Sequence, residues 1–258
     1  MTALRTNFNA GENFTHDDAN RVGINVNGAT LTGTFSAMPT AGQPSRLYYC
    51  TDTDAVYRDD GSTWNRIRFG LNGTTQPLPP TSGWSTNTMG TSSVTADKDG
   101  YLLEAVGAGT GAEALRFHYR TYPATPFTAT FYFDFNIRLH DSSSAGGIFI
   151  SNGTRFVGFQ AAQDKIYVSE YSNSTSFNAN EFSNTNLLAA YGLPHWMRFS
   201  DDGTNREYLL SSNGIDWISV YTSSRTTWLT PSQIGWAMNS RASSGSKSYG
   251  RLRSLSGV

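Results

Sequence analysis

Cysteine is nearly missing from this chain of 258 residues. The single thiol, Cys50, excludes an intrachain disulfide framework and a zinc cage built on cysteine. Beside Tyr49 in a predicted strand, it reads as a small buried hydrophobe. Histidine is also scarce, and His16, His118, His140 and His195 stand at no metal-ligand spacing. Charged residues make up 15% of the chain, against roughly 25% in typical globular proteins. With a net charge of −1 and its basic residues scattered, the chain lacks the electrostatic footprint of a nucleic-acid surface. No apolar run approaches the length that crosses a bilayer, so membrane insertion is not expected. The opening MTALRTNFNAGE has no apolar h-region, so a secretory leader is not expected either. Phosphate loops, G-x-S-x-G elbows and H-E-x-x-H motifs are missing, and no cofactor is expected.

What the chain does have is glycine, 25 residues of it, together with aromatics at 13% and many Ser, Thr and Asn. That mixture describes a mainly β protein with short strands and small polar loops. From Trp84 to Val258 the strands can be placed coarsely. They fall at Tyr101–Val106, Ala112–Tyr122, Phe127–Leu139, Gly147–Ser151, Phe156–Ala161 and Lys165–Tyr171. A long polar stretch, Ser172–Asn186, reads as loop. Trp196–Ser200, Arg206–Ser211 and Trp217–Thr222 follow, separated by Asp202-Gly203 and Asn213-Gly214 turns, with Gln233–Met238 and Tyr249–Leu255 last. Residues 84–258 are thus expected to form an antiparallel β-sandwich of jelly-roll type, its best candidate helix being Asn184–Tyr191.

Ahead of it, Gly70–Gly83 contains Pro77, Pro79, Pro80 and Asn72-Gly73, and reads as a linker. Residues 33–69 alternate apolar and polar residues around Thr51-Asp52-Thr53-Asp54 and Asp59-Asp60-Gly61-Ser62, which predicts a tight three-stranded meander. So small a sheet cannot hide an apolar face by itself. Tyr48 or Tyr49, Val56 or Tyr57, and Trp64 are therefore candidates for oligomerisation. Residues 1–32 form an arm. Within it, Thr15 as N-cap, Asp18 three residues on, and Ala19, Val22 and Val26 on one face predict a short helix.

The order GT (Gly33-Thr34), P-x-A-G (Pro39–Gly42), R-x-Y-Y-x-T-D-T (Arg46–Thr53) and Y-x-D-x-G-x-x-W (Tyr57–Trp64) resembles a small β-module of tail-fibre and other appendage proteins of tailed bacteriophages. The pattern A-G-x-x-F-T-x-x-D-x-N over Ala10–Asn20 resembles the element that often precedes such modules in minor tail proteins. The resemblance implies a homotrimer built into a virion through its arm. Further on, HWMRFSDDGTNREYLLSSNGIDWISVY and IGWAMNS resemble the carboxy-terminal strands of concanavalin A-like lectin/glucanase sandwiches. That fold hosts lectins, hydrolases and inert spacers alike.

A glycosidase needs two carboxylates flanking the scissile bond. Glu104, Glu113, Glu170, Glu181 and Glu207 stand on separate segments, and Asp134 is surrounded by Tyr and Phe, so no enzyme is expected. Asp201-Asp202-Gly203-Thr204-Asn205 reads as a capped hairpin rather than a calcium loop. A sugar site needs aromatic faces and amides. Tyr171, Phe177, Phe182, Tyr191 and Trp228 lie in or beside loops with Asn178 and Asn180, and are the candidate glycan ligands. The same rings could instead close the ends of the sandwich. Trp196, Trp217 and Trp236 are assigned to the core. The expectation is a virion protein, made in the bacterial cytoplasm, that binds a bacterial surface polysaccharide. A head fibre or capsid decoration protein and a carbohydrate-active hydrolase are the alternatives.

Overall fold

The computed structural model describes residues 30–52, 55–67, 75–87, 89–97, 99–109, 113–136, 144–162, 165–187, 195–241, 245 and 247–258. The helix expected in the arm and the side chain of Tyr191 lie outside them. The chain divides into two compact units, residues 1–77 and 78–258.

The first unit is a sheet of β1 (Thr30–Gly33), β2 (Leu47–Cys50), β3 (Ala55–Asp59), β4 (Trp64–Ile67) and β5 (Thr75–Gln76), in that spatial order. The expected meander is β2–β4. It gains β1 as a parallel edge and β5 as an antiparallel one, so the module takes in the first part of the expected linker. Turn chemistry fixes the β3–β4 corner. The Asp60 carboxylate accepts the Ser62 and Thr63 amides, each at 2.7 Å, and Gly61 takes φ +98°.

Tyr48 and Tyr57 sit directly opposite one another and are buried. Of the alternatives left open for an oligomerising face, Tyr48 and Tyr57 are covered by the segment between β1 and β2 of the same chain. Phe35 packs 5.7 Å from Tyr57, and the Trp64 indole donates to the Pro39 carbonyl at 2.6 Å. Buried Asp59 staples that segment down by accepting the Gly42, Gln43 and Gly61 amides and the Arg46 guanidinium. The opposite face carries Leu47, Tyr49 and Val56, all partly exposed. Cys50 is buried, as its strand position suggested.

The second unit is a sandwich of two seven-stranded sheets, antiparallel throughout. One sheet runs β14 (Ser176–Asn184), β13 (Ile166–Asn173), β12 (Phe156–Ala162), β11 (Ala145–Ser151), β18 (Gln233–Asn239), β9 (Leu115–Thr121) and β6 (Ser85–Asn87). The other runs β17 (Ile218–Ser224), β16 (Asn205–Ser211), β15 (Trp196–Asp201), β10 (Phe127–Asn136), β19 (Lys247–Ser256), β8 (Gly100–Val106) and β7 (Ser93–Asp97). Alternate residues point inward and form one core, including Phe131, Phe133, Phe159, Val168, Phe199 and Trp236.

Two expectations are corrected in this unit. The polar stretch read as loop contains strand β14. Of the candidate helix, Asn184 ends that strand, Asn186 and Leu187 are helical, and residues 188–191 lie outside the described ones. Of the three tryptophans assigned to the core, Trp236 lies in the inter-sheet cluster and Trp196 is buried outside it. Trp196 packs 4.5 Å from Tyr132 on the outer face of the second sheet, and Trp217 lies over the Arg198 guanidinium at 3.7 Å.

Candidate functional site

The first sheet is apolar on both faces, which a two-layer sandwich does not require. On its outer face Leu115, Phe117, Phe149, Phe156, Tyr171 and Ala237 form a second buried cluster. Its cover is the β13–β14 hairpin. Three register shifts between these strands, at Val168/Ser169, Glu170/Tyr171 and Tyr171/Asn173, bend the hairpin. The Ser174 carbonyl at its tip then accepts the Leu115 amide of β9 at 3.0 Å, although three strands separate β13 from β9 in the sheet. The tip therefore arches back over the sheet. Trp228 pins the base by donating its indole N–H to the Tyr171 carbonyl at 3.2 Å. It holds a left-handed φ of +64° while the Arg155 guanidinium stacks 4.6 Å above its ring.

Between the arch and the sheet lies a cleft of about 230 Å³. The hairpin contributes Tyr167, Ser169, Tyr171, Phe177 and Asn180, and the facing wall contributes Glu113, Asn239 and Arg241, with Lys165 at one end. Phe177 is 45% exposed, the only one of these rings that offers a face to solvent, and stands edge-on to Tyr171 at 5.9 Å. Tyr171 is floor. Its hydroxyl meets the Gln160 side chain at 2.9 Å, and burial, followed by the Glu113 charge, pushes its pKa up, so it stays a neutral donor and acceptor. The Ser169 hydroxyl donates to Asn180 Oδ1 at 2.7 Å. Asn239 accepts the Ala114 amide at 2.9 Å and donates to Glu113 Oε2, while Arg241 pairs with Glu113 Oε1 at 3.5 Å.

The structure thus brings Tyr171, Phe177 and Asn180 into one cleft and takes the other expected ligands elsewhere. Phe182 turns inward and stacks on Tyr221 at 5.7 Å, its ring part of the core margin. Asn178 donates to Glu170 at 2.7 Å, off the cleft. Trp228 acts as the pin just described. Sequence reasoning missed Glu113, Lys165, Tyr167, Ser169, Asn239 and Arg241, which come from three separated segments and carry no local signature.

Glu170 and Glu181, read as isolated, are neighbours across β13 and β14. Burial raises the Glu181 pKa, a Tyr221 hydrogen bond opposes the rise, and Glu170 adds to it. This pair is not part of the cleft lining. At the β15–β16 turn, Asp201 accepts the Gly203 amide at 2.8 Å and Arg225 Nε at 3.0 Å, while Asp202 accepts Thr204 and Asn205 amides. These are the caps of a hairpin.

No protein-family model matches the chain, and no curated protein matches it in sequence. Solved structures resemble it only distantly. A functionally unknown protein from Saccharomyces cerevisiae is 14% identical over 68% of this chain and 97% of its own, with a TM-score of 0.48. The GH43 BlXynB protein from Bacillus licheniformis is 12% identical over 88% of this chain at a TM-score of 0.46, and the match spans 55% of that protein. A Lotus tetragonolobus seed lectin is 9% identical over 70% of this chain and 95% of its own, at a TM-score of 0.43. Likeness at this level leaves fold and activity to be argued from the chain itself.

Proposed function

We propose that this chain is a non-enzymatic bacteriophage virion protein, of the tail-fibre or minor-tail kind, whose sandwich binds a bacterial surface glycan in the cleft under the β13–β14 hairpin. The observation that carries the binding half is the lining itself. An exposed Phe177 face stands beside the Asn180 amide and charged hydrogen-bonding groups, over a floor already saturated by the Tyr171–Gln160 contact. Sugars need this combination of an apolar plate for their C–H patches and oriented polar groups for their hydroxyls. The virion half rests on the ordered module signature from Gly33 to Trp64 and on the Ala10–Asn20 pattern before it.

In this reading the arm attaches the chain to the particle. Three copies associate through the module, with Leu47, Tyr49 and Val56 the face left for that contact. Trimeric display lets weak sugar sites act together through effective concentration. Among the described residues Glu113 is the one carboxylate in the cleft lining, and it is engaged by Asn239 and Arg241, which favours binding over a two-carboxylate hydrolysis.

The test incubates the protein with purified bacterial cell-wall polysaccharide and measures retention, reducing-end release and mass by light scattering. Retention without release, at about three times 28.2 kDa, is expected. Release of reducing ends would replace this reading with a hydrolase. A monomer that is not retained would favour a decoration protein.

A further inference from the structure

At one edge of the sandwich the two sheets meet through aromatic rings. Phe182 of β14 stacks on Tyr221 of β17 at 5.7 Å, and Tyr221 on Tyr208 of β16 at 5.9 Å. Phe182 pairs with Val168 and Asn180 with Ser169, so Glu181 is the extra residue of a bulge. Its carboxyl lies in this seam, with both oxygens buried and neither completing a hydrogen bond of normal geometry. We propose that Glu181 is a pH-sensitive latch: neutral, it lets β14 close against β17, and ionised, it loosens that strand.

An ionised carboxylate in such a place needs donors that offset its lost hydration. Among the described residues, the charged and titratable groups that face Glu181 are Glu170 from β13, Tyr221 from β17, and Arg206 and Tyr208 from β16. Glu170 is a second carboxylate, held by the Asn178 amide at 2.7 Å, and it opposes a charge on Glu181. Tyr221 and Arg206 favour that charge. Arg206, however, gives its two outer nitrogens to the Thr227 and Leu229 carbonyls at 3.2 and 2.6 Å, away from the carboxyl. Its Nε, the Tyr208 hydroxyl and the Ser223 hydroxyl are buried and make no hydrogen bond, so the seam does not gather its donors onto Glu181. Burial is the largest effect and raises the Glu181 pKa above its ordinary 4.5.

A carboxyl whose folded pKa lies above its unfolded value contributes fully below that unfolded value, here 4.5, and its contribution is lost as pH rises through the folded one. The loss should appear first in β14, an edge strand whose ladder to β13 is already broken by three register shifts. The same strand carries Phe177 and Asn180 into the cleft, so retention of a glycan should fall with rising pH as well. That consequence rests on the glycan reading above; the latch itself does not.

The experiment follows amide exchange of the full chain by mass spectrometry between about pH 5.5 and 8.5, corrected for the intrinsic rate at each pH. It compares the wild type with Glu181→Gln and Glu170→Gln, and a thermal melt of each variant confirms folding. As pH rises, the wild type should lose protection in β14 relative to β11, in the middle of the same sheet. Glu181→Gln should hold β14 level, and Glu170→Gln, which removes the opposing charge, should show a smaller loss than the wild type. Level protection of β14 in the wild type, or the same loss in Glu181→Gln, would overturn the latch. If Glu181→Gln does not fold, an undiminished loss in Glu170→Gln overturns it instead. Retention on bacterial cell-wall polysaccharide is measured at the same pH values. Retention that stays constant while β14 loosens would count against the glycan site and leave the latch standing.

Discussion

His118 is a buried histidine whose protonation should weaken the sandwich in acid. Its ring stacks 4.5 Å from Trp84 and lies 5.1 Å from Tyr101, and burial pulls its pKa down from 6.5 to about 4, opposed by its interaction with the Ser85 backbone carbonyl. The unfolded chain therefore binds this proton more readily than the folded one. The stabilisation is complete above about pH 6.5 and is lost as pH falls toward 4, an upper bound of about 3 kcal/mol. Asp59 in the small module behaves differently. Burial alone would raise its pKa, but Arg46 and the Gln43, Gly61 and Gly42 amides outweigh that and hold it well below the ordinary carboxylate range. Its contribution is present above about pH 4 and is lost only below that. Melts at pH 7, 5 and 3.5 should show the sandwich weakening first and the module later, and His118→Phe should flatten the first change. A sandwich whose melting point is level from pH 7 to 4.5 would contradict the assignment.

At the scale of elements, the arched hairpin decides where the cleft lies, and it is also what the sequence hid. The strands of β10 and β15–β16 are legible because apolar residues alternate without interruption and the turns are Asp-Gly and Asn-Gly. β14 is not, because Ser176–Asn184 is mostly polar and the three register shifts break its period of two. The second apolar cluster was equally invisible, since it draws Leu115, Phe149, Phe156, Tyr171 and Ala237 from different strands, each of which reads as ordinary core. Phe177, Tyr171 and Asn180 were legible as residue types suited to sugars, whereas the facing wall became visible only with the topology.

Gly158 tests the arrangement. A Cβ there would fall within the Phe149 ring, which lies across the glycine on the outer face under the arch. Gly158→Ala should cost about 1–3 kcal/mol through overpacking and raise amide exchange in β13 and β14. An unchanged melt with unchanged exchange would mean that the cluster is looser than its burial implies.

At the scale of the molecule, the chain holds two compact units with separate apolar clusters, and their stabilities should come apart. Trp64 is the lever. It holds the covering segment through Pro39, meets Tyr48 edge-on at 5.8 Å and carries Arg46 over its face at 5.0 Å. A fully buried aromatic truncated to alanine costs about 3–5 kcal/mol, and half-buried Trp64 should fall at the low end of that range. Trp64→Ala should therefore lower the melting of the module while the sandwich transition stays in place. Joint collapse of both transitions would refute the division into units.

The central claim, that the cleft under the hairpin is a glycan site, is tested most directly by Phe177→Ala. Phe177 is 45% exposed and its loss removes a stacking face rather than a core ring. Retention of the wild type and of this variant on bacterial cell-wall polysaccharide is to be measured beside their melting curves. The account expects the wild type to be held and the variant to be released, with the two melts superimposed. Equal retention of both proteins, or loss of binding only in step with a lowered melt, would contradict it.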